Sequence, residues 1–159
     1  PEEKMIEQLE YIEHKCDSMH IARPTTFAYP GYSLSPTVLK ILEQKGYEFA
    51  RAGGNRVYEP LIDHPLLIPS WAMNAQNKQQ MMEALESAHD GDIVVLTIHG
   101  VPDAEHPWVN TPPELFREYL QYLHDNHFTV IALRDLSKYI NARKAMKTIA
   151  TDFNKKLKN

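Results

Sequence analysis

The chain has 159 residues, of which 43% are hydrophobic, and its 17 basic and 21 acidic side chains give a formal charge of −4. This length and apolar content suffice for one domain with a single core. The acidic balance argues against nucleic acid as a partner, and a single cysteine excludes an intrachain disulfide or a thiolate metal cluster. Since no apolar run approaches the roughly 20 residues of a membrane span, we expect no transmembrane segment.

The first elements predicted are a helix, a strand and a second helix. Residues 2–19 place apolar side chains at three- and four-residue spacing behind an acidic start, which predicts an amphipathic helix. The stretch TTFAYPGY predicts a short strand that ends at the turn of Pro30 and Gly31. Ser35 and Gly46 bound the next predicted helix as its N-cap and its stop signal.

The remaining elements continue this alternation. YEFARAGG predicts a strand, residues 74–89 a helix, DIVVLTI a strand, and FTVIAL the last strand. Residues 142–159 predict a C-terminal helical tail. Because the predicted strands are continuous apolar runs between helices, we expect an α/β fold with parallel strands, in a single domain over residues 1–159.

His99 is the strongest candidate for chemistry from the residues alone. In parallel sheets, the residues beyond the carboxyl ends of the strands share one edge, where ligands bind. His99 follows the strand DIVVLTI and precedes Gly100, which predicts an imidazole that faces a cleft and exchanges protons near neutral pH. A histidine that only hydrogen-bonds a neighbouring loop is the alternative.

Other residues near the same edge also allow two interpretations. The turn at residues 30–32 could aim backbone N–H groups at an oxyanion, although a turn that only reverses the chain is commoner. Arg51 could clamp an anionic or carbonyl group, or pair with a carboxylate. Trp71 could stack on a sugar, although covering the core is the commoner role. His106 and Trp108 could form the lip of a cleft or belong simply to a stiff loop.

Residues 14–20 contain four side chains of metal-binding types, His14, Cys16, Asp17 and His20. Cys16 belongs to the apolar stripe of the predicted helix, and the two histidines project from different helix faces. We therefore assign no metal ligand to this segment.

Three stretches of the chain resemble motifs of the polysaccharide deacetylase family, carbohydrate esterase family four. They are RPTTFAYPGYSLSPTVLKILEQKGYEFAR, GDIVVLTIHGV and FREYLQYLHDNHFTVIALRDLSKYI. The resemblance runs from Glu2 to Ile140 and corresponds to the C-terminal part of the family domain, a distorted (β/α) barrel. It implies that this chain forms part of such a barrel and that the rest lies before Pro1.

The resemblance also implies roles for particular residues. In that family an aspartate and two histidines hold a divalent metal, usually zinc, that activates water against an acetyl group on a sugar. FAYPGY matches the third motif, which contributes to the oxyanion hole, and LTIHG matches the fifth, whose histidine is the general acid. The implied catalytic residues are His99, Tyr32 and Gly31, and the implied substrate-binding residues are Tyr29, Pro30, Arg51, Trp71 and Leu96.

The chain departs from the family pattern in three places. It contains no Asp-Asp pair and no H-x-x-x-H, so the metal ligands are not in this chain. Ala28 stands where many members carry an arginine that orients the catalytic base. ARAGGNR replaces the acidic fourth motif, so the aspartate that tunes the histidine is missing and Arg51 stands nearby.

The resemblance therefore implies part of a metal-dependent hydrolase that removes acetyl groups from a (poly)saccharide by C–N or ester bond hydrolysis. We expect zinc or another divalent metal in the longer protein and no activity from this segment alone. Exposed strand edges predict self-association or pairing with the missing N-terminal half. The alternatives are an amide hydrolase acting on a small molecule and a non-catalytic carbohydrate-binding domain. The family suggests a secreted, periplasmic or cell-surface location.

Overall fold

The computed structural model describes residues 2–153, which form two compact units. The first unit contains residues 2–52, Leu61–Ile68 and 133–153, and the second contains Gly53–Pro60 and Pro69–Ala132. None of the helices described is both long and apolar enough to cross a membrane. The helices and strands are α1 Glu2–Ser18, β1 Thr26–Ala28, α2 Pro36–Gln44, β2 Phe49–Arg51, β3 Trp71–Ala72, α3 Gln80–Glu86, β4 Leu96–Thr97, α4 Pro113–Asp125 and α5 Ala142–Thr148.

A parallel pair of strands lies at the centre of the first unit. β1 pairs with β2 so that Thr26 lies opposite Phe49 and Ala28 opposite Arg51. A parallel bridge from Arg51 to Ile68 extends this sheet by one more segment. Since α2 connects β1 to β2, the three elements form a β-α-β unit. The predicted α/β arrangement with parallel strands is thereby confirmed.

The second helix begins and ends where the sequence predicts. Ser35 has an extended backbone, and its carbonyl accepts a hydrogen bond of 3.0 Å from the Leu39 amide. Gly46 has a φ of 77°, which lies outside the range of a right-handed helix, so the helix ends before it. Glycine adopts this conformation without the strain that a side chain would cause. The buried face of α2 consists of Leu39, Ile41 and Leu42.

The first helix packs on α2 through only part of its predicted apolar stripe. Leu9 is its one buried side chain among those described, whereas Ile12 is 49% and Met19 65% exposed. Lys45 forms an ion pair of 3.0 Å with Glu10. Surface pairs of this kind contribute less than about 1 kcal/mol, so α1 is attached mainly by the buried Leu9 and the partly buried Met5 and Ile6, which pack on the same core.

A buried histidine lies in the segment that follows β2 in the first unit. His64 is 5% exposed, and its Nδ1 accepts a hydrogen bond of 3.2 Å from the Leu66 amide. Burial lowers the pKa of His64, and the charge of Glu43 opposes that shift only in part. His64 is therefore neutral in the folded chain, because its Nδ1 must stay unprotonated to accept this bond.

The second unit is built on another parallel pair of strands. β3 pairs with β4 so that Trp71 lies opposite Leu96 and Ala72 opposite Thr97. α3 and α4 cover this pair with apolar side chains. The buried members of this second core are Met73, Met81, Leu85, Leu115, Tyr119 and Leu123.

The third helix begins later than the sequence pattern predicts. The helix expected from residue 74 starts only at Gln80, because two asparagine side chains cap turns before it. Asn74 Oδ1 accepts hydrogen bonds from the Gln76 and Asn77 amides at 3.0 and 3.1 Å. Asn77 Oδ1 then accepts a hydrogen bond of 3.1 Å from the Gln80 amide. These local bonds compete with the helical ones and shorten the helix.

The prediction of a strand in FTVIAL, residues 128–133, is wrong. Residues 128–132 belong to no strand and are all exposed, and Leu133–Lys138 forms a 3₁₀ turn. A β-branched sequence becomes a strand only when a neighbouring backbone exchanges hydrogen bonds with it, and no segment in the described part of the chain does so.

Of the helical tail expected over 142–159, α5 covers Ala142–Thr148, and residues 154–159 lie outside the described residues.

Two leucines of the first unit provide a matched test of its core. Leu42 is fully buried and Leu61 is 90% exposed. We expect Leu42→Ala to lower the free energy of unfolding by about 2–5 kcal/mol, and Leu61→Ala by less than about 0.5 kcal/mol, in urea titrations. Equal effects of the two substitutions would contradict the described core.

The buried His64 predicts a loss of stability in mild acid. Because the pKa of His64 in the folded chain lies below the ordinary value of about 6.5, His64 binds a proton in the unfolded chain at a pH where it stays neutral in the folded chain. The stabilising contribution is therefore complete above about pH 6.5 and is lost as the pH falls below it. We expect His64→Asn, which keeps an acceptor for the Leu66 amide, to reduce this pH dependence in urea titrations. The exposed His14 is the control, and His14→Asn should leave the slope unchanged.

Candidate functional site

Three ligand-type side chains meet in the loop that follows β4. His99 Nδ1 contacts Asp103 Oδ2, and His106 Nδ1 lies 3.0 Å from Oδ1 and 3.3 Å from Oδ2 of the same carboxylate. The side chain of Asp103 is 11% exposed, whereas those of His99 and His106 are 53% and 44% exposed. We name these three residues the His–Asp–His cluster. Its carboxylate is shielded, and its two imidazoles are open to solvent.

The loop is closed by hydrogen bonds at its two ends. Gly100 and Asn110 form a parallel bridge, in which the Thr111 amide donates to the Gly100 carbonyl at 3.2 Å. The Asp103 amide donates to Asn110 Oδ1 at 2.7 Å, and the His106 amide donates to Asp103 Oδ1 at 2.9 Å. Asp103 is therefore fixed at its backbone and at its carboxylate, independently of the two imidazoles.

Gly100 leaves room for this carboxylate. A Cβ at position 100 would lie 2.9 Å from the Asp103 Cβ and 3.2 Å from its Oδ2. The first distance is too short for two carbon atoms, so a side chain here would displace Asp103. The glycine after His99 thus serves the packing of Asp103.

The carboxylate of Asp103 is ionised and orients both imidazoles. Burial alone raises the pKa of Asp103, but hydrogen bonds from the His99 ring and from the His106 backbone and ring outweigh it, so the pKa lies below its ordinary value. With Nδ1 of His99 turned to Asp103, Nε2 on the opposite edge of the ring points away from it. A half-exposed imidazole held in this way can exchange a proton with a bound molecule.

An exposed tryptophan extends the cluster. The His99 and His106 rings meet edge to face at 4.9 Å between centroids, and His106 meets Trp108 edge to face at 5.5 Å. Trp108 is 63% exposed. Three aromatic rings thus follow one another from His99 through His106 to the exposed Trp108.

In the first unit, the structure brings Arg51 to the turn that follows β1. Gly31 and Tyr32 both have a φ of 54°, and the Arg51 guanidinium carbon lies 5.5 Å from the centre of the Tyr32 ring. The Tyr32 amide donates to the Tyr29 carbonyl at 3.1 Å. In this conformation the proposed oxyanion turn uses the Tyr32 N–H for its own closure.

The neighbouring Tyr29 and Pro30 differ in environment. Tyr29 is 2% exposed, its hydroxyl donates to the Leu66 carbonyl at 2.9 Å, and burial raises its pKa. Pro30 is exposed at the surface of the turn. Tyr29 therefore supports the turn from the core, and Pro30 lies where a ligand could touch it.

Trp71 and Leu96 occupy paired positions on β3 and β4 in the second unit. Both are partly buried and pack against the second core. The Trp71 Nε1 is buried and finds no acceptor among the described residues. This position agrees with the core-covering role that the sequence also allowed.

Asp103 was not predicted from the sequence as a partner of His99. The family pattern places that carboxylate in the fourth motif, near Arg51, where this chain has none. The signal was nevertheless local, since His99, Asp103 and His106 form an H-x-x-x-D-x-x-H pattern directly after a strand. What the pattern alone does not show is that the loop folds back to bring the three side chains together.

No protein-family model, curated protein or solved structure matches this chain. The resemblance to polysaccharide deacetylases therefore rests on the sequence motifs alone.

The packing of Gly100 against Asp103 can be tested by adding one methyl group. We expect Gly100→Ala to displace the carboxylate, change the imidazole ¹⁵N resonances of His99 and lower the free energy of unfolding by about 1–3 kcal/mol. Glu105→Ala, at an exposed position in the same loop, should change neither quantity. Unchanged His99 resonances in Gly100→Ala would show that the loop tolerates the methyl group.

Proposed function

We propose that this chain contributes the general acid of a metal-dependent hydrolase that removes acetyl groups from a (poly)saccharide. The observation that carries the proposal is the contact between His99 Nδ1 and Asp103. Hydrolysis of an amide or ester needs a group that protonates the departing nitrogen or oxygen. A histidine oriented by a carboxylate and open to solvent at Nε2 meets that need, and Asp103 supplies the carboxylate that the fourth motif lacks.

The proposed role of His99 is confined to one proton. As water adds to the acetyl carbonyl and the C–N or C–O bond breaks, Nε2 gives its proton to the leaving nitrogen or oxygen. Acetate and the free amine or hydroxyl of the sugar are the products. Asp103 accepts a hydrogen bond from the Nδ1–H of His99 and stabilises the imidazolium that carries the transferable proton on Nε2. After transfer, the neutral ring keeps its Nδ1 proton, which stays hydrogen-bonded to Asp103.

The metal of this reaction class supplies an activated water when it is bound. The chain lacks the Asp-Asp pair and the H-x-x-x-H that hold this metal in the family, so we propose that these ligands lie outside it. The donor set of the His–Asp–His cluster would fit a divalent cation. His99 cannot, however, be ligand and general acid at once, so no step is assigned to a cation there.

We also propose that the described fold is part of a (β/α) barrel. The parallel β-α-β unit formed by β1, α2 and β2 is the repeating unit of such barrels. The exposed residues 128–132 provide the second support, since Phe128, Val130 and Ile131 are 41%, 68% and 39% exposed. An apolar, β-branched segment of this kind pairs readily with a strand from outside the chain, either an N-terminal part or a second copy.

The exposed Trp108 favours a sugar over a small amide as the substrate. An indole face stacks on the apolar face of a pyranose ring, and this one lies next to the ring of His106. Among the described residues, Trp108 is thus the best-placed side chain to position a sugar beside His99.

The proposal is tested in a longer protein that contains this chain, with acetate release from acetylated chitooligosaccharides as the measurement. We expect His99→Ala to lower kcat by about 10²- to 10⁴-fold, because the leaving group loses its proton donor. Asp103→Asn should lower kcat as well, by at least about tenfold. His124→Ala is the control, since His124 is another exposed histidine that contacts a carboxylate, that of Asp125.

Two results would contradict the proposal. Near wild-type turnover in His99→Ala would remove His99 from the mechanism. Binding of the oligosaccharide without acetate release would instead identify a non-catalytic carbohydrate-binding domain.

A further inference from the structure

We infer that the His–Asp–His cluster is a binding site for one divalent cation of the zinc class. The site consists of His99, Asp103 and His106, and it departs from the expectation that this chain holds no metal ligand. The inference does not rest on the proposed hydrolase activity, because it concerns only the donor atoms of these three side chains.

The donor atoms already converge. One nitrogen from each imidazole and one carboxylate oxygen all lie within 4.8 Å of one another. His106 Nδ1 lies 3.0 Å from Asp103 Oδ1. Two ligands that each lie about 2.0–2.2 Å from one zinc ion in tetrahedral geometry are separated by little more than this. A cation can therefore take the place of the protons between these groups with small side-chain movements.

The chemistry of the donors selects the class of cation. Two neutral imidazoles and one carboxylate suit Zn²⁺, Co²⁺ and Ni²⁺, whereas Mg²⁺ and Ca²⁺ prefer sites made of oxygen ligands. Three protein ligands leave a fourth position for water, as in open zinc sites. The half-exposed histidines give a cation access to the site, and the nearly buried carboxylate supplies the attracting charge.

The loop holds the carboxylate before any cation arrives. The Asn110 side chain accepts a hydrogen bond from the Asp103 amide, and the His106 amide donates a hydrogen bond to Asp103 Oδ1. Such outer contacts fix the orientation of a ligand, and their loss typically weakens metal binding by roughly 10- to 100-fold. The cluster thus has both the ligands and the supporting contacts of a metal site.

Other histidine–carboxylate pairs of the second unit lack a third donor. His89 lies 3.6 Å from Asp92, and His124 lies 3.1 Å from Asp125, each between a ring nitrogen and a carboxylate oxygen. Across residues 2–153, only the His–Asp–His cluster gathers three such ligands. These two pairs are therefore internal controls for nonspecific zinc binding.

Cation binding and proton transfer at His99 exclude each other. A cation on Nδ1 of His99 replaces the hydrogen bond to Asp103, and a metal-bound imidazole no longer releases its Nε2 proton readily. We therefore expect zinc at this site to inhibit any reaction that uses His99 as an acid.

The test is calorimetric titration of the 159-residue chain with Zn²⁺ alone. We expect one zinc per chain, with affinity at least about tenfold lower in His106→Ala and unchanged in His124→Ala. In the wild-type chain, zinc should shift the imidazole ¹⁵N resonances of His99 and His106 but not those of His89 and His124. An excess of Mg²⁺ should not displace the bound Zn²⁺.

The inference is overturned by an absence of stoichiometric zinc binding, or by zinc binding that is equally tight in His106→Ala. It is also overturned if the shifted resonances belong to His89 or His124. The resonance measurement on the wild-type chain keeps the test valid if a variant does not fold. Failure here leaves the general-acid role intact, because that role is tested by the loss of acetate release in His99→Ala.

Discussion

The carboxylate of Asp103 is the constraint on which the functional part of this structure depends. Gly100 leaves space for it, and Asn110 holds its backbone amide at 2.7 Å. Once fixed, the carboxylate orients His99 and His106 at their Nδ1 atoms and turns the other edge of each ring outward. Without this carboxylate, His99 would be an exposed side chain with many accessible rotamers. The His99 ring would then have no fixed orientation, and the three donor atoms of the cluster would not converge.

The parts of the fold that local chemistry determines were predictable from the sequence. α2 is an example, since the extended Ser35 and the positive φ of Gly46 are backbone properties that these residue types favour at helix ends. The missed features depend on competition or on distant partners. The side chains of Asn74 and Asn77 form turns that replace the first part of the predicted helix. Residues 128–132, three of which are β-branched, lack a neighbouring strand among the described residues.

The candidate site divides in the same way. The position of His99 after a strand follows from hydrophobic patterning, and the sequence therefore singled it out. The identity of its carboxylate partner does not, because the contact with Asp103 depends on how the bridge between Gly100 and Asn110 folds the loop. Likewise, Tyr29 has the residue type of a binding side chain, but its burial and its bond to the Leu66 carbonyl depend on a segment 37 residues away in the chain.

Two proposed uses of the cluster compete for one atom, Nδ1 of His99. A carboxylate between two imidazoles can be neutralised either by shared protons or by a divalent cation, and the outcome depends on the concentrations of both. The protonated state keeps Nε2 of His99 available as an acid, whereas the cation-bound state does not. The same three residues would thus make the proposed acid function depend on free zinc. A substitution at His106 separates the two uses, because His106 is a proposed cation ligand but transfers no proton in the proposed reaction.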